Sequence, residues 1–445
     1  MNKPKIAIVG GGWAGLAAAV ELCQHGHQVS LFESAPQLGG RARSVTWNNM
    51  TLDNGQHLML GAYQQMLQCL TTLHADTDKL FKRLPYRMLM LDAQTGQTAF
   101  DLQLPTYPAP LHLLFGIFNT PSLSFKEKIT LLIRFNQCLN SPIKDDLSVT
   151  DWLQSANLPL TYTKNCLEPV CLAALTTHPH QASAKAFQRV LQQTFSGPAH
   201  FTDLLIPTAD LSQIYPNLAK QFILKNGGDI QTRSKVQQLH IENNRIQSIV
   251  VNDQTLTFDQ VILATPASIT HKLLDPIPLL QPLVKQINQL KYEPVTTLYL
   301  QFKQATPLPY PMLGIVNGLS EWVFERSISG NNDVLAVVIS ARGKHCQIPE
   351  AQLVETIYTE LSTIIPNLSP LLTSKLITDK RATFQCHPNI DSLRPCTETM
   401  VSNLKLCGDY VYIEEKKQAG LPSTLEGALH SGVKCAQSII RPTLI

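Results

Sequence analysis

Three glycines near the start of this 445-residue sequence have the spacing of a phosphate-binding turn. Gly10, Gly12 and Gly15 stand in the pattern G-x-G-x-x-G directly after the apolar run Lys5–Val9, which predicts a buried strand. In such a turn the first glycine lets the chain turn tightly, and the second lets the backbone approach a pyrophosphate. The third lets the following helix pack closely on the sheet. The pattern therefore predicts that the chain binds a dinucleotide.

The residues around these glycines predict a complete βαβ unit. A helix is expected over residues 14–25, and the N–H groups at its start, where Trp13 and Ala14 stand, would face the phosphates. A second strand over Gln28–Phe32 ends in Glu33, whose carboxylate could accept both ribose hydroxyls of an adenosine, which argues against a bound 2′-phosphate. A glycine-rich turn of any α/β protein is the alternative, but all the parts follow in the required order.

A second glycine pair, Gly39 and Gly40, is followed closely by Arg41 and Arg43. Such a loop can wrap a second phosphate group, with the two arginines as anion contacts. Alone it would be an ordinary basic turn. Directly after a dinucleotide-binding unit, however, it resembles a large group of flavoproteins that contains the amine oxidases, phytoene desaturases and protoporphyrinogen oxidases. The resemblance implies that Gly40 and Arg41 contact FAD.

The string Asp53-Asn54-Gly55-Gln56-His57, followed by Leu-Met-Leu-Gly-Ala-Tyr, narrows the resemblance. It is similar to the squalene-associated FAD-dependent desaturases, also called the hydroxysqualene dehydroxylase family. The resemblance implies that this segment runs past the flavin ring, with Gly55 where the backbone must come close. His57 is then a candidate general acid, because its ordinary pKa of about 6.5 lets it hold or release a proton. Asp53 would favour its charged form and Gln56 would place the substrate or the ring, whereas a structural histidine that caps a turn is the alternative.

The chain returns to the same cofactor near its end. A strand that ends in Gly408 and Asp409 is followed by a helix with Ser423 or Thr424 as its N-cap. The resemblance implies that Asp409 accepts a hydrogen bond from a ribityl hydroxyl. It also implies that the helix start near Leu425 stabilises negative charge at N1 and O2 of the flavin.

Two positions in the middle of the chain complete the implied cofactor site. In the resembling families the backbone at Val236 meets the adenine ring, and Ala264 ends a strand where the cofactor is close. One departure from the family pattern occurs at residues 414–417, where four charged residues replace a short link that contains tryptophan. The sequence therefore leaves the local wall of the substrate site open.

The predicted fold class is α/β, with a discontinuous, Rossmann-like FAD-binding domain, a helical cap and a mixed-sheet substrate domain. Helical periodicity over residues 125–139, 149–156, 163–175 and 184–195 predicts the cap. Four strands, over 295–302, 312–316, 321–326 and 334–340, with a helix over Glu350–Ile364 predict the second part of the substrate domain, and short strands over 235–258 predict a β-meander. The expected segments are 1–78, 205–285 and 385–445 for the FAD-binding domain, 79–204 for the cap with the first part of the substrate domain, and 286–384 for its second part.

The composition excludes several classes of function. The formal net charge is only +3, so no nucleic-acid partner is expected, and the 16% of charged residues fits either an apolar ligand or a large buried core. Ten cysteines without a C-x-x-C pair indicate free thiols in a reducing compartment. No metal is expected, because no H-E-x-x-H or similar ligand spacing occurs. No apolar window approaches the roughly eighteen residues of a membrane span.

The resemblance implies an FAD-dependent oxidoreductase that reduces hydroxysqualene to squalene in hopanoid or related isoprenoid synthesis. An isoprenoid desaturase of the phytoene type, which transfers hydride in the opposite direction, is one alternative, and a non-catalytic prenyl-lipid carrier on the same fold is another. Because a second G-x-G-x-x-G is absent, any electron donor, NAD(P)H included, would bind transiently. The apolar segment 104–118 and the basic helix after it predict a cytoplasmic protein in peripheral contact with the inner membrane, where a lipophilic isoprenoid would be found.

Overall fold

A five-stranded parallel sheet forms the centre of the nucleotide-binding part of the computed structural model, which describes residues 3–414 and 420–441. Its central strands are short apolar runs with almost no exposed residue, as is typical of a parallel sheet covered by helices. The helix Trp13–Gln24 packs against Pro216–Lys225 and against the last helix, Leu425–Ile440, and the predicted βαβ unit is confirmed. In spatial order the strands are Asp229–Gln231, Gln28–Phe32, Lys5–Val9, Gln260–Leu263 and Leu404–Leu406.

The predicted β-meander is a separate three-stranded antiparallel sheet. Asn243 and Asn244 form the turn between its first two strands, with φ of 50° and 57°. Two successive positive φ values are the geometry of a tight hairpin turn, and asparagine tolerates them better than most residues. The three strands are Val236–Glu242, Arg245–Val251 and Gln254–Leu256.

A seven-stranded mixed sheet forms the predicted substrate domain. Two of its strands, Arg87–Asp92 and Thr98–Gln103, come from the segment 79–204, where the sequence predicted only helices. The long strand Leu371–Phe384 at the other edge was also not predicted. In spatial order the strands are Leu371–Phe384, Tyr292–Phe302, Val334–Ser340, Trp322–Glu325, Met312–Val316, Arg87–Asp92 and Thr98–Gln103.

The two faces of this large sheet are buried against different partners. Leu298 and Val337 lie in one core with Ile357 of the helix Glu350–Ile364. Residues that alternate with them, such as Tyr299 and Val338, belong to a second core shared with the cap and the nucleotide-binding part. The period of two along each strand thus directs one face towards the candidate site.

The predicted cap helices are present with ends that differ by at most a few residues from the expected ones. Ser124 begins one of them with a capping box, in which its side chain and that of Glu127 satisfy each other's backbone N–H groups. A single π-helical turn, Thr163–Leu167, runs directly into Glu168–Leu175. The remaining cap helices are Leu111–Asn119, Phe125–Asn140, Val149–Ser155, Leu160–Tyr162 and Ala184–Phe195.

Short strands and helices, given at the end of this paragraph, connect these layers. In the described part of the chain no helix is long and apolar enough to cross a membrane. The charged residues at 415–417, on which the predicted substrate wall depended, lie outside the described residues. The short strands are Ser44–Trp47, Met50–Asp53, Met59–Leu60, Phe81–Leu84 and Leu204–Pro207, and the other α-helices are Gln64–Thr72, Thr77–Leu80, Leu211–Ile214, Ala267–Leu274 and Gln281–Asn288.

Candidate cofactor and active site

The glycine turn after the first strand has the geometry that its sequence predicts. Gly10 has a φ of +110°, and a Cβ there would lie 2.7 Å from the carbonyl oxygen of Ala264. A Cβ at Gly15 would lie 2.0 Å from the carbonyl oxygen of Gly10. A Cβ at Gly12, by contrast, would meet no protein atom within 4 Å. Gly10 and Gly15 are therefore required by the packing of the fold, whereas Gly12 borders open space at the start of the helix Trp13–Gln24.

The first two residues of that helix are both buried. The indole N–H of Trp13 donates to the carbonyl oxygen of Ala42 at 2.9 Å, and its ring packs on Tyr215. A Cβ at Gly432 in the last helix would lie 2.1 Å from the carbonyl oxygen of Ala14. Both side chains thus serve the packing of the helix, and only the backbone N–H groups remain to face a phosphate.

Glu33 follows the second strand directly, and a backbone hydrogen bond joins it to the segment that leads into Val236. The carboxylate of Glu33 accepts hydrogen bonds from the N–H of Gly11 and of Ala35, both at 2.7 Å. The N–H of Ser234, two residues before Val236, donates to the carbonyl oxygen of Glu33 at 2.8 Å. The Ser34 hydroxyl also donates to Oε1 at 3.2 Å, so one of the four carboxylate lone pairs, on Oε2, remains for a ribose hydroxyl.

Arg41 and Asp409 contact each other directly, at 2.5 Å, across 368 residues of sequence. The sequence assigned them to different parts of the cofactor, as a phosphate contact and a ribityl contact. Burial alone would raise the pKa of Asp409, but the Arg41 charge and hydrogen bonds from Arg41 and Ser423 hold it below its usual value. Asp409 is therefore an ionised acceptor. The Arg41 loop lies close against the first glycine turn. A Cβ at Gly40 would be only 3.2 Å from the Cα of Gly12.

The segment after the last strand of the parallel sheet brings a second helix start to the same place. Gly408 has a φ of +147°, and its N–H donates to the hydroxyl of Ser431 at 3.0 Å. Thr424 accepts from the N–H of Gly427 at 3.1 Å, so one of the two predicted N-caps is confirmed. The other, Ser423, donates its hydroxyl to Asp409 instead. The helix begins at Leu425, directly beside the Arg41–Asp409 pair.

The Asp53 carboxylate lies in a buried polar cluster that joins the two parts of the molecule. It accepts from the N–H of Leu211 at 2.7 Å and pairs with Arg326 at 3.2 Å, and both members of the pair are at most 3% exposed. Arg326 also donates to the side-chain oxygen of Gln56 at 2.8 Å, while the amide of Gln56 donates to the carbonyl oxygen of His57 at 3.1 Å. Because Arg326 follows a strand of the large sheet, this cluster fixes the Asp53–His57 loop against that sheet.

His57 differs from its predicted electrostatic state. Its Nδ1 lies 2.7 Å from the carbonyl oxygen of Gly55, so Nδ1 carries a hydrogen and, in the neutral ring, Nε2 is the acceptor. Burial lowers the pKa of His57, and the opposing effects of the Gly55 carbonyl and of Asp53 are too small to reverse this. Asp53 does favour the charged form of His57, as expected, but burial outweighs its effect. His57 is neutral at pH 7.

Two of these glycines leave space beside the backbone. A Cβ at Gly55 would have only Thr297 Oγ1 at 3.7 Å and His57 Cε1 at 3.9 Å as neighbours, which is ordinary contact distance. Gly12 follows the carboxyl end of a parallel strand, which is where ligands of open α/β sheets bind. In the part of the chain that the structure describes, no group of His, Cys, Asp and Glu could hold a metal ion.

Sequence reasoning missed Arg326, Tyr299 and Thr297. The hydroxyl of Tyr299 donates to the carbonyl oxygen of Asp53 at 2.9 Å, and the N–H of Gln56 lies 3.4 Å from the hydroxyl oxygen of Thr297. The sequence marks these residues only weakly. Arg326 is a single cation directly after a mostly apolar strand, and Thr297 and Tyr299 lie on the same face of the strand Tyr292–Phe302. The pairing with a loop more than 240 residues away carries no local mark.

A glycine turn at the end of a parallel strand, with a second sheet that contacts the Asp53–His57 loop, is typical of a nucleotide-binding α/β protein. The chain belongs to the family of flavin containing amine oxidoreductases, whose sequence model matches residues 13–440. It is therefore a flavin-dependent oxidoreductase, and the non-catalytic carrier is set aside.

Relatives and solved structures agree with this membership. The chain is 26% identical to the hydroxysqualene dehydroxylase of Zymomonas mobilis over 96% of its length and 97% of that protein. It is 24% identical to the 15-cis-phytoene desaturase of an Oncidium hybrid cultivar, over 99% of its length and 78% of that protein. The fold is similar to that of an oxidoreductase from Methanosarcina mazei, with a TM-score of 0.75, 18% identity and coverage of 98% and 100% of the two chains.

Proposed function

We propose that this protein binds FAD and uses it, in reduced form, to convert hydroxysqualene to squalene. The observation that carries the proposal is the Asp53–His57 loop, held by Arg326 beside open space in a chain similar over its whole length to a hydroxysqualene dehydroxylase. FAD rather than a smaller flavin is supported by Glu33, whose remaining lone pair on Oε2 suits a ribose hydroxyl of an adenosine. Gly12, with open space at a helix N-terminus, suits the pyrophosphate.

The residues of this chain have distinct tasks in the proposed reaction. Bound FAD in its reduced form supplies a hydride to the carbinol carbon. Hydroxide is a poor leaving group, so a proton must reach the departing oxygen. His57 would hold that proton at Nε2 and donate it to the departing oxygen, while its Nδ1–H stays hydrogen-bonded to the carbonyl oxygen of Gly55. Because burial lowers the pKa of His57, the protonated ring is sparse at neutral pH but a stronger acid than an exposed histidine.

A single-turnover experiment tests the function and the role of His57 together. Protein reduced with dithionite under anaerobic conditions is mixed with hydroxysqualene in detergent, and flavin reoxidation and squalene formation are followed. We expect reoxidation that becomes faster as the pH falls, and His57→Ala should slow it by about 10²–10⁴-fold without loss of bound flavin. His240→Ala, at an exposed histidine of the β-meander, is the matched control. Wild-type reduced protein that hydroxysqualene fails to reoxidise would exclude the dehydroxylase function.

An isoprenoid desaturase is the second candidate, and one observation favours it. The neutral ring of His57, whose Nε2 has no hydrogen-bond partner among the described residues, is suited to accept a proton when a C–H bond is oxidised. The similarity to a 15-cis-phytoene desaturase points in the same direction. This candidate is supported if an isoprenoid with a saturated stretch reduces, and so bleaches, the oxidised flavin, while hydroxysqualene does not reoxidise the reduced flavin.

An exposed apolar surface on the cap supports peripheral contact with the cytoplasmic face of the inner membrane. We define the cap surface as the outer faces of the helices Leu111–Asn119 and Phe125–Asn140 with Tyr107. Phe125 is 72% exposed and Ile133 is 56% exposed, which is unusual for side chains of this size. The other exposed apolar side chains there are Tyr107, Leu111, Leu114, Phe115 and Ile129, and the cations Lys126 and Arg134 lie among them.

A further inference from the structure

A basic cleft of about 620 Å³ lies on the large sheet, outside the site described above. We define it by Lys291, Tyr292, Arg342, Lys380 and Arg381, together with Glu293 and Gln385. The residues come from the ends of three neighbouring strands, Leu371–Phe384, Tyr292–Phe302 and Val334–Ser340.

An irregularity in the strand pairing creates the cleft. Glu293 pairs with Thr383, but Val295 pairs with Asp379, so residues 380–382 have only Pro294 opposite them. Extra residues on one strand bulge away from the ladder and redirect their side chains. The bulge thus carries Lys380 and Arg381.

The charge of the basic cleft is strongly unbalanced. Its lining contains four cations and one acid, and that acid, Glu293, is engaged by Arg342 through an ion pair of 3.9 Å and a backbone hydrogen bond of 3.1 Å. Within residues 3–414 and 420–441, Lys291, Lys380 and Arg381 have no carboxylate within ion-pair distance. A concave surface with unpaired cations attracts anions, and arginine in particular binds phosphate through two parallel hydrogen bonds.

The basic cleft adjoins the cofactor site through two contacts. Arg41, the partner of Asp409, also donates to the carbonyl oxygen of Ala382, the residue after Arg381. Burial and the charge of Asp409 raise the pKa of the Tyr292 phenol, whereas the charges of Arg41 and Arg381 lower it, so both sites lie near this phenol. From Tyr292 the strand continues to Thr297, which borders Gly55, so one strand connects the basic cleft with the expected ring position.

We propose that the basic cleft binds the phosphate groups of a reduced nicotinamide dinucleotide, NADPH in preference to NADH, as the transient electron donor of this protein. The inference rests on the proposed function, since each carbinol reduced to a hydrocarbon consumes two electrons. The donor loses a hydride and becomes NADP⁺, a proton comes from solvent, and the substrate hydroxyl leaves as water. The chain has one dinucleotide-binding pattern and Glu33 already occupies its acidic position, so the donor needs another place. The excess of positive charge favours the donor that carries the additional phosphate.

Binding of NADP⁺ to the oxidised holoenzyme, measured by calorimetry, tests the basic cleft without any turnover. We expect binding that weakens as salt is raised, tighter than that of NAD⁺, and at least tenfold weaker in Lys380→Glu/Arg381→Glu. The milder Lys380→Gln/Arg381→Gln variant should show a smaller loss of NADP⁺ binding in the same direction. It serves to distinguish a loss of charge from misfolding of the charge-reversal variant. Lys375→Glu is the matched control, because this exposed lysine lies on the same strand but outside the basic cleft, and it should bind NADP⁺ as the wild type does.

Anaerobic reduction of the bound flavin by NADPH, followed by stopped flow, is the second measurement and needs no isoprenoid. We expect the double charge reversal to slow reduction at least tenfold at low donor concentration, whereas Lys375→Glu should not. The proposal is overturned if neither nicotinamide reduces the wild type, if the two double variants bind NADP⁺ unchanged, or if they lose binding to anionic vesicles instead. Failure of hydroxysqualene to react would leave these results intact, so the two proposals fail separately.

Discussion

Arg326 is the counter-charge of Asp53 and binds the Asp53–His57 loop to the large sheet. Its Nη1 serves both Asp53 and Gln56, while no hydrogen-bond partner for its buried Nε and Nη2 lies among the described residues. Arg326→Met would leave the buried carboxylate of Asp53 without its counter-charge, and such losses destabilise proteins by about 3–5 kcal/mol. We expect a loss of this size in the free energy of unfolding measured by urea titration. Asp53→Asn/Arg326→Met should recover part of it.

A second ion pair provides the control for this prediction. Lys79 and Asp76 are 3.2 Å apart with side chains 84% and 53% exposed, and exposed pairs of that kind contribute little to stability. Lys79→Met should therefore be nearly neutral. Equal losses for Lys79→Met and Arg326→Met would mean that burial gives the Arg326–Asp53 pair no special weight.

Single residues could be predicted from the sequence where a local pattern marks them. Gly10, Gly15 and Glu33 stand at fixed distances in a short unit, and each has a local physical reason for its type. Arg326 meets Asp53 across 273 residues, and no property of either neighbourhood indicates the pairing. The lowered pKa of His57 could not be predicted for the same reason, because burial of the ring is a property of the folded chain.

Two helices near the cofactor site are joined by one buried carboxylate. Glu426, in the first turn of Leu425–Ile440, accepts from the N–H groups of Gln65 and Met66 at 2.8 and 2.9 Å and so caps the helix Gln64–Thr72. Burial raises the pKa of Glu426 from 4.5 to about 7 in spite of these bonds. The folded state therefore binds more protons than the unfolded state between these pH values, and stability falls as pH rises through that window.

Thermal unfolding between pH 4 and 8 checks this consequence for Glu426. A shift of this size corresponds to a loss on the order of 3 kcal/mol between the two pKa values, which remains constant above them. Glu426→Gln keeps an acceptor but removes the titration, so its stability should depend less on pH. Glu350→Gln changes an exposed glutamate in the first turn of another helix and should follow the wild type. Parallel curves for Glu426→Gln and the wild type would contradict the prediction.

Whole elements were predicted best where they are long and periodic. Ala184–Phe195 and Glu350–Ile364 have a clear apolar stripe and were placed with their observed ends. The strands Arg87–Asp92 and Thr98–Gln103 were missed, because they join a sheet whose next strand, Met312–Val316, lies more than 200 residues away. Strand identity depends on such partners, and one sequence does not display them.

At the scale of the whole molecule, the two sheets divide the work of the proposed reaction. The parallel sheet presents the glycine turn and Glu33 at the carboxyl ends of its strands, and the large sheet turns Thr297 and Tyr299 towards the Asp53–His57 loop. The cap completes the same core on the remaining side. We expect a lipophilic substrate to approach past the cap, because the cap surface carries seven of the thirteen large apolar side chains that are exposed among the described residues.

Contact of this cap surface with lipid is the last prediction. Phe125→Glu/Ile133→Glu removes two exposed apolar side chains, each worth about 1.5–3 kcal/mol if fully buried, and places negative charge next to Lys126. We expect wild-type protein to float with vesicles of phosphatidylglycerol and phosphatidylcholine at low salt, less so at high salt, and the variant to float at least tenfold less. Leu372→Glu, at a leucine 59% exposed on the large sheet, is the matched control and should float as the wild type does. Flotation that is equal in both variants, or absent from the wild type, would show that the cap surface does not bind membranes.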